Sequence, residues 1–208
     1  MHFLITAGGT REYIDPVRFI SNAGTGKMGC CLARAVIRKG HTVTLISTSS
    51  ALRRPQGAKV VYVETADQMF KAVKKYFQKC DCLIMAAAVA DYTPAGVTRT
   101  KIKKTAETLL IKLKPTKDIL EWAGRNKKDR TVVGFALEDK NLRRNAENKL
   151  LNKNLDMIIA NRPSAIGSDK TTVHIKTPSR NWLRIGPASK ASVACRIIRL
   201  LSCVQQTR

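Results

Sequence analysis

Hydrophobic and polar positions alternate in blocks along this chain, switching between two periods. Phe3–Thr6 is a short apolar run that enters Gly8-Gly9-Thr10, the pattern of a strand ending in a tight turn. From Gly26 the period becomes helical, with Met28, Cys31, Leu32, Ala35 and Val36 on one face and Gly40 closing the helix. Val43–Ser47 is the next strand, and 66–79 is a helix carrying Met69, Val73 and Phe77 at intervals of four. Cys82–Ala88 is a continuous apolar run of strand length, which suits a parallel strand buried on both faces. Further on, Leu109–Leu113 reads as a strand, Asp118–Arg125 as a helix, Thr131–Phe135 as a strand, Asn141–Lys153 as a helix and Asp156–Ala160 as a strand. Thr171–Lys176 and Trp182–Ile185 form a small hairpin, and a last helix from about Lys190 to Val204 buries Val193, Ile197 and Leu200.

Strands alternating with helices predict an α/β fold: a doubly wound, mostly parallel, Rossmann-like sheet with helices on both faces and a small C-terminal hairpin. Ligands then belong at the carboxyl ends of the strands. The segment 92–108 has no apolar period and several lysines, and reads as a functional loop. No repeat or composition break divides the chain, so residues 1–208 are expected to be one domain.

Composition narrows the class. At 44% hydrophobic residues the chain can bury a core, and no stretch of about 18 apolar residues spans a membrane. The N-terminus lacks the layout of a signal peptide, which points to the cytosol. Cys30, Cys31, Cys80, Cys82, Cys195 and Cys203 form no C-x-x-C pair, and His2, His41 and His174 are scattered. Reduced thiols and no zinc site are expected. The charge is unusual, with 38 Lys+Arg against 15 Asp+Glu for a formal +23. Such a field attracts polyphosphate. However, the basic residues are spread along the chain, aromatics are only 5%, and no nucleic-acid-binding motif accompanies them. An enzyme with phosphorylated small substrates fits better; a non-catalytic basic nucleotide- or nucleic-acid-binding protein on the same fold is the alternative.

Several segments carry candidate chemistry. Gly8, Gly9 and Thr10 after the first strand have the form of a phosphate cradle, or of a simple turn, and miss the G-x-G-x-x-G fingerprint. Ala23-Gly24-Thr25-Gly26-Lys27-Met28-Gly29 opens a helix as an anion site does. It fails as a P-loop because Ser21 takes the place of the first glycine and Met28 that of the Ser/Thr. Lys27 either joins that anion or is solvated. Arg18 can hold a carboxylate or phosphate, and Asn22 can donate to a developing oxyanion. Ala86, Ala87 and Ala88 let a flat group approach the backbone, while Asp91 can accept hydroxyls or help to hold a metal, or merely cap a helix. Lys101, Lys103 and Lys104 sit on the loop, where they either close over a substrate or are solvated.

Taken in order, Gly-Gly-Thr-Arg-Glu-x-Ile-Asp-Pro-Val-Arg-Phe-Ile-Ser-Asn, Gly-Lys-Met-Gly, Ala-Ala-Val-Ala-Asp-Tyr, Lys-Ile-Lys-Lys, Val-Gly-Phe-Ala and Leu-Asp-x-Ile-x-Ala-Asn closely resemble the phosphopantothenate–cysteine ligase domain. In bacteria this domain is often fused to a flavin-dependent decarboxylase. The resemblance spans about Phe3 to Ile175. It implies a ligase that activates 4′-phosphopantothenate with CTP, releases pyrophosphate, and passes the acyl-cytidylate to the amine of L-cysteine. Arg18 and Asn22 match the family's pair at the acyl group, and Lys101 its loop lysine. Met85–Ala87, Asp91, Lys117, Asp118, Ile119, Leu120, Phe135, Lys149 and Lys153 match nucleotide-binding positions. The family also implies magnesium held mainly by nucleotide phosphates, a homodimer with loops crossing its interface, no flavin in this half, and a separate decarboxylase for the next step. Animal and fungal relatives use ATP, whereas the bacterial-type motifs here favour CTP. Three departures stand out: Ala23-Gly24-Thr25 replaces a serine pair, Lys117 replaces the proline before Asp-Ile, and Leu137 stands where alanine is frequent.

Overall fold

The structure, a computed structural model, describes residues 1–48 and 53–205, the last four of these by backbone alone. The chain opens with β1 (His2–Ala7), a ribbon of β2 (Arg11–Asp15) and β3 (Arg18–Ser21), α1 (Lys27–Arg38), β4 (Thr42–Ser47), β5 (Ala58–Tyr62), α2 (Ala66–Phe77) and β6 (Cys82–Met85). A second ribbon of β7 (Tyr92–Pro94) and β8 (Leu113–Pro115) leads to α3 (Ile119–Arg125), β9 (Thr131–Leu137), α4 (Leu142–Asn152) and β10 (Met157–Asn161). The chain closes with β11 (Lys170–Thr177), β12 (Arg180–Ser189) and α5 (Lys190–Gln205).

Eight strands form one sheet in the order β12-β11-β10-β9-β6-β1-β4-β5. Pairing is parallel from β10 to β5, and β11 and β12 add an antiparallel hairpin at one edge. Side chains alternate across each strand. Phe3, Ile5 and Ala7 therefore pack against α1 on one face and belong to the same core as residues of α5. Leu4, Leu83 and Ile158 belong to the opposite core, with residues of α2, α3 and α4. The expected doubly wound sheet with its C-terminal hairpin is present. Strand order reverses between β1 and β6, so their carboxyl ends diverge and leave a crevice, where such sheets bind ligands.

Helix boundaries follow local chemistry. Thr65 and Gln68 form a capping box at the start of α2, and Asp118 caps α3 by accepting from the Glu121 N–H at 2.9 Å. α1 packs unusually close to β1, since a Cβ on Gly29 would lie 2.5 Å from the Cβ of Ala7.

Several sequence expectations need correction. The run Cys82–Ala88 is a strand only to Met85, because the chain then turns outward and keeps a single bridge, Gly9 with Ala88. The strand expected over Leu109–Leu113 lies instead at Leu113–Pro115; Leu109 and Leu110 stay exposed because nothing packs over them. The loop 92–108 begins as β7, paired with β8. The ribbon β2–β3 and the edge strand β5 are additional. Cys30, Cys31, Cys80, Cys82 and Cys195 are free thiols, while Cys203 lies outside the described side chains. Burial pushes the Cys80 thiol up to about 12, so it stays protonated and inert. Among the described residues, no helix is long and apolar enough to cross a membrane.

Candidate active site

A cavity of about 580 Å³ fills the crevice where β1 and β6 diverge. Its walls come from segments far apart in the chain, among them Asn22–Met28, Met85–Val89 with Asp91, Thr116–Leu120, and Lys149 with Lys153.

The first wall is the start of α1. Gly26 takes a left-handed φ of 79°, which turns the chain into the helix without a side-chain cap, and no acidic residue occupies the first turn. The first turn of α1, with its partial positive charge, therefore borders the cavity, an arrangement that favours anions; its Lys27 N–H donates to Thr25 Oγ1 at 3.4 Å. Lys27 adds an ammonium, 3.0 Å from the Asp169 carboxylate. Lys190, buried at the start of α5, also lines the cavity and donates to the Ala165 carbonyl at 3.0 Å. Burial, reinforced by Lys27, pushes the Lys190 pKa down.

The opposite wall pairs the start of α3 with the end of α4. The Lys153 ammonium bonds to the Asp118 carboxylate, and Lys149 donates to the Phe135 carbonyl at 3.0 Å. Burial pushes Asp118 up, but the Lys153 bond and the Glu121 N–H outweigh it and hold the carboxyl below its usual range. Burial first, then Lys153, pushes the Lys149 pKa down, against Asp118, Glu138 and Asp91. A phosphate group entering here would relieve that repulsion. Lys117 also lines the cavity, with its ammonium 3.8 Å from Asp67 and 5.2 Å from the centre of the Phe70 ring.

The floor is Ala86–Ala88. The Ala87 N–H donates to Thr6 Oγ1 at 3.1 Å and the Ala88 N–H to the Gly8 carbonyl at 2.8 Å, so this backbone is pinned to the end of β1. Asn22 reaches over it, its Nδ2 donating to the Val89 carbonyl at 3.0 Å. Gly8, Gly9 and Thr10 lie beneath the floor and do not line the cavity. A Cβ on Gly8 (φ +90°) would sit 2.1 Å from Thr48 Oγ1, and one on Gly9 would sit 2.2 Å from the Asn22 carbonyl oxygen. Thr10 is fully buried, its N–H donating to the Ala88 carbonyl and its hydroxyl accepting from the Ala90 N–H. These three residues are therefore packed under the site instead of forming an open phosphate cradle: protein atoms occupy the space the glycines leave.

The ribbon β2–β3 ties down the lysine loop. Asp15 is buried and accepts from the N–H groups of Val17, Arg18 and Ile102 at 2.8, 2.9 and 3.1 Å. Arg18 closes on the same carboxylate and donates to the Ile102 carbonyl at 3.0 Å. Burial raises the Asp15 pKa, but the three N–H bonds and the guanidinium outweigh it and lower it. Both backbone groups of Ile102, next to Lys101, are thus clamped.

A model of the family described as the DNA/pantothenate metabolism flavoprotein C-terminal domain matches residues 1–204. The chain belongs to this family. It is 40% identical over 210 residues to the coenzyme A biosynthesis bifunctional protein CoaBC of Bacillus subtilis (strain 168), covering 99% of this chain and 52% of that protein. With the CoaBC of Borreliella burgdorferi it shares 40% over 201 residues, covering 95% and 51%. The chain spans about half the length of the curated relatives it matches. The crystal structure of the C-terminal domain of CoaBC superimposes with a TM-score of 0.87 at 35% identity, covering all of this chain and 96% of that one. A Cab2 mutant solved with phosphopantothenate-cysteine shares the fold, with a TM-score of 0.85 at 18% identity, covering 99% and 86%.

Of the residues singled out in the sequence, Asn22, Thr25, Gly26, Lys27, Met85–Ala88, Asp91, Lys117–Leu120, Phe135, Lys149 and Lys153 line the cavity. Arg18, Lys101 and Lys104 are not among its lining residues; Lys101 and Lys104 are exposed on the clamped loop. Asn161, the last residue of the Leu-Asp-x-Ile-x-Ala-Asn motif, also lines the cavity, as do Lys190, Ile166 and Gly167, which belong to no motif. Sequence spacing offers no sign of Lys190, because only the chain's return across the sheet places it beside Lys27.

Proposed function

We propose that this chain is the ligase that joins 4′-phosphopantothenate to L-cysteine in coenzyme A biosynthesis, with CTP as the activating nucleotide. The observation that carries the reading is the cavity at the switch point, which draws together motif residues from segments far apart in the chain. Its cationic walls suit phosphates, and its small-residue floor suits a flat base. The names of the relatives, coenzyme A biosynthesis proteins, point to the same pathway.

In the first step a carboxylate oxygen of phosphopantothenate attacks the α-phosphorus of CTP, and the bond to the β-phosphate oxygen breaks to release pyrophosphate. In the second, the neutral amine of cysteine attacks the acyl carbonyl. The amide forms, the acyl–phosphate bond breaks, the amine loses a proton, and CMP departs. Negative charge grows on oxygen in both steps, so preorganised donors supply much of the acceleration. The start of α1, with Lys27, receives phosphate oxygens. Lys149 and Lys153 face the nucleotide from the other wall, and Ala86–Ala88 admit its base and ribose. Asn22 donates to the acyl oxygen, with Arg18 at the same group. Lys101 closes over the reacting centre from its loop, and a second copy of the chain supplies a crossing loop. Magnesium would be held mainly by the triphosphate oxygens and would offset their charge; because Lys153 engages the Asp118 carboxylate, Asp91 is the cavity carboxylate that would touch it.

The deciding experiment measures pyrophosphate release with 4′-phosphopantothenate and each nucleoside triphosphate in turn, then amide formation on adding cysteine. CTP is expected to outperform ATP clearly. Equal rates, or faster turnover with ATP, overturn the nucleotide assignment. Absence of pyrophosphate with every nucleotide overturns the ligase.

A further inference from the structure

A second cavity, of about 390 Å³, opens between the start of α4, the connection after β10 and the β11–β12 hairpin. Arg162, Lys170, His174 and Arg184 line it together with hydroxyls of Ser164 and Thr172, and its lining includes no carboxylate. Arg184 stands directly opposite His174 in the β11–β12 ladder. Arg162 is held in place by donating to the Asp139 carbonyl at 3.0 Å, a bond that leaves most of its guanidinium N–H groups for other acceptors. His174 Nδ1 is buried and has no hydrogen-bond partner. Cations gathered around one concavity repel each other unless an anion joins them, and guanidinium forks match phosphate oxygens. The volume falls within the roughly 300–1,000 Å³ of small-molecule sites.

We propose that this cavity is a second anion site, taking a small phosphate- or polyphosphate-bearing molecule, outside the cavity read as the active site. It does not rest on the ligase reading, because none of its four ionisable lining residues lines the larger cavity.

The site is also coupled to protons. His174 faces Arg184 on β12, Arg143 at the start of α4, Arg162 after β10 and Lys170 on its own strand; Lys176, on the same face, pairs with Glu147 of α4 at 3.5 Å. Burial first, then Arg143, Arg184 and Arg162, pushes the imidazole pKa down. An anion among these cations favours the imidazolium and raises that pKa. Binding therefore takes up a proton, and affinity falls as pH rises through the His174 pKa.

The chain has three histidines. His2 bonds to Thr44 on the sheet and His41 stacks on Phe3 at 5.6 Å, so both serve as internal references. His174→Gln assigns the third imidazole signal by NMR. Inorganic pyrophosphate, and separately phosphate, is titrated at constant ionic strength across the pH range of the ring. A saturable upward shift of the His174 pKa is expected, with His2 and His41 unmoved. Arg184→Ala should weaken binding about tenfold, the effect of losing one charge-assisted contact. Arg184→Lys should retain part of it, and pyrophosphate release in the ligase assay should be unchanged in both variants. A shift shared by all three histidines without saturation, saturable binding indifferent to Arg184→Ala, or a response to an RNA oligomer but not to pyrophosphate overturns the proposal. Loss of ligase activity with this site intact bears only on the first cavity.

Discussion

Gly124→Ala sets two opposing effects against each other at a point that shapes the candidate site. Gly124 lies in α3, where alanine favours the helix by about 0.8–1.0 kcal/mol over glycine. Against this, an added Cβ would lie 1.8 Å from the carbonyl oxygen of Lys153 and 3.0 Å from its carbonyl carbon. Ordinary contact begins at 3.4 Å, so α3 and the end of α4 must part, or the Lys153 peptide must rotate. Neither is a flexible side-chain tip; overpacking costs about 1–3 kcal/mol, and a backbone clash this deep belongs at the upper end, about 2–3 kcal/mol. The clash outweighs propensity, giving a net loss of about 1–2 kcal/mol. For a chain of this size that lowers Tm by about 2–8 °C. Because Lys153 bonds to Asp118, and Asn154 Nδ2 bonds to the Gly124 carbonyl at 3.1 Å, the same displacement spreads the cavity wall formed by α3 and α4. CTP affinity should fall about tenfold. Scanning calorimetry and titration calorimetry measure the two effects. Gly96→Ala, with nothing within 4 Å, is the control and should stay within about 0.5 kcal/mol of wild type. If Gly124→Ala melts at or above the wild-type temperature, propensity has won and the close approach of α3 to α4 constrains nothing.

Other perturbations test the loop and the charges. Lys101→Gln should lower turnover by about 10²–10³. Its side chain is exposed, so the melting temperature should not change; near-wild-type amide formation removes Lys101 from the mechanism. Asp15→Asn weakens the clamp on Ile102, so trypsin should cut at Lys101, Lys103 and Lys104 faster than in wild type; equal cutting refutes the clamp. Asp15 has a lowered pKa, so its contribution is present above the unfolded value and is lost as pH falls through the folded one. Loop cleavage by an acid-active protease such as pepsin should therefore quicken as pH falls through that value. CTP at about 100 times its Kd should raise Tm by roughly 5–10 °C. Phosphate binding favours the Lys149 ammonium, so this increment should shrink as pH rises through the lowered Lys149 pKa, and an increment independent of pH contradicts the assigned wall.

The parallel core was legible because burial on both faces leaves continuous apolar runs, as in β1, β4, β6, β9 and β10. The helices were legible because each hides one face. β5 was not: it is an edge strand with half-exposed side chains, and nothing in its composition separates it from a loop. Nor was the β2–β3 ribbon, whose aromatics Tyr13 and Phe19 pack against each other at 5.7 Å instead of entering a core. For the site, many of the residues singled out by contiguous motifs line one cavity. Gly8–Thr10 lie outside that lining: a glycine after a strand signals close approach without saying whether chain or ligand comes close. The motifs missed Lys190, which reaches the cavity from the far end of the sequence.

The absence of a dinucleotide fingerprint from a sheet with this strand order has a physical explanation. When a first strand turns directly into a first helix, one glycine-rich turn serves three needs: a sharp bend, close approach to phosphate, and tight helix–strand packing. Here residues 8–26, with the β2–β3 ribbon inside them, separate β1 from α1, and the three needs fall to separate glycines. Gly8 and Gly9 make the bend and admit Thr48 and Asn22, Gly26 turns the chain into α1 beside the cavity, and Gly29 brings α1 against Ala7. Dividing the work makes room for an insertion that the compact turn excludes, and the insertion carries Asp15 and Arg18. The segment that delivers Asn22 to the cavity is therefore the one that grips Ile102, so the site's rigid wall and its lysine loop share one anchor.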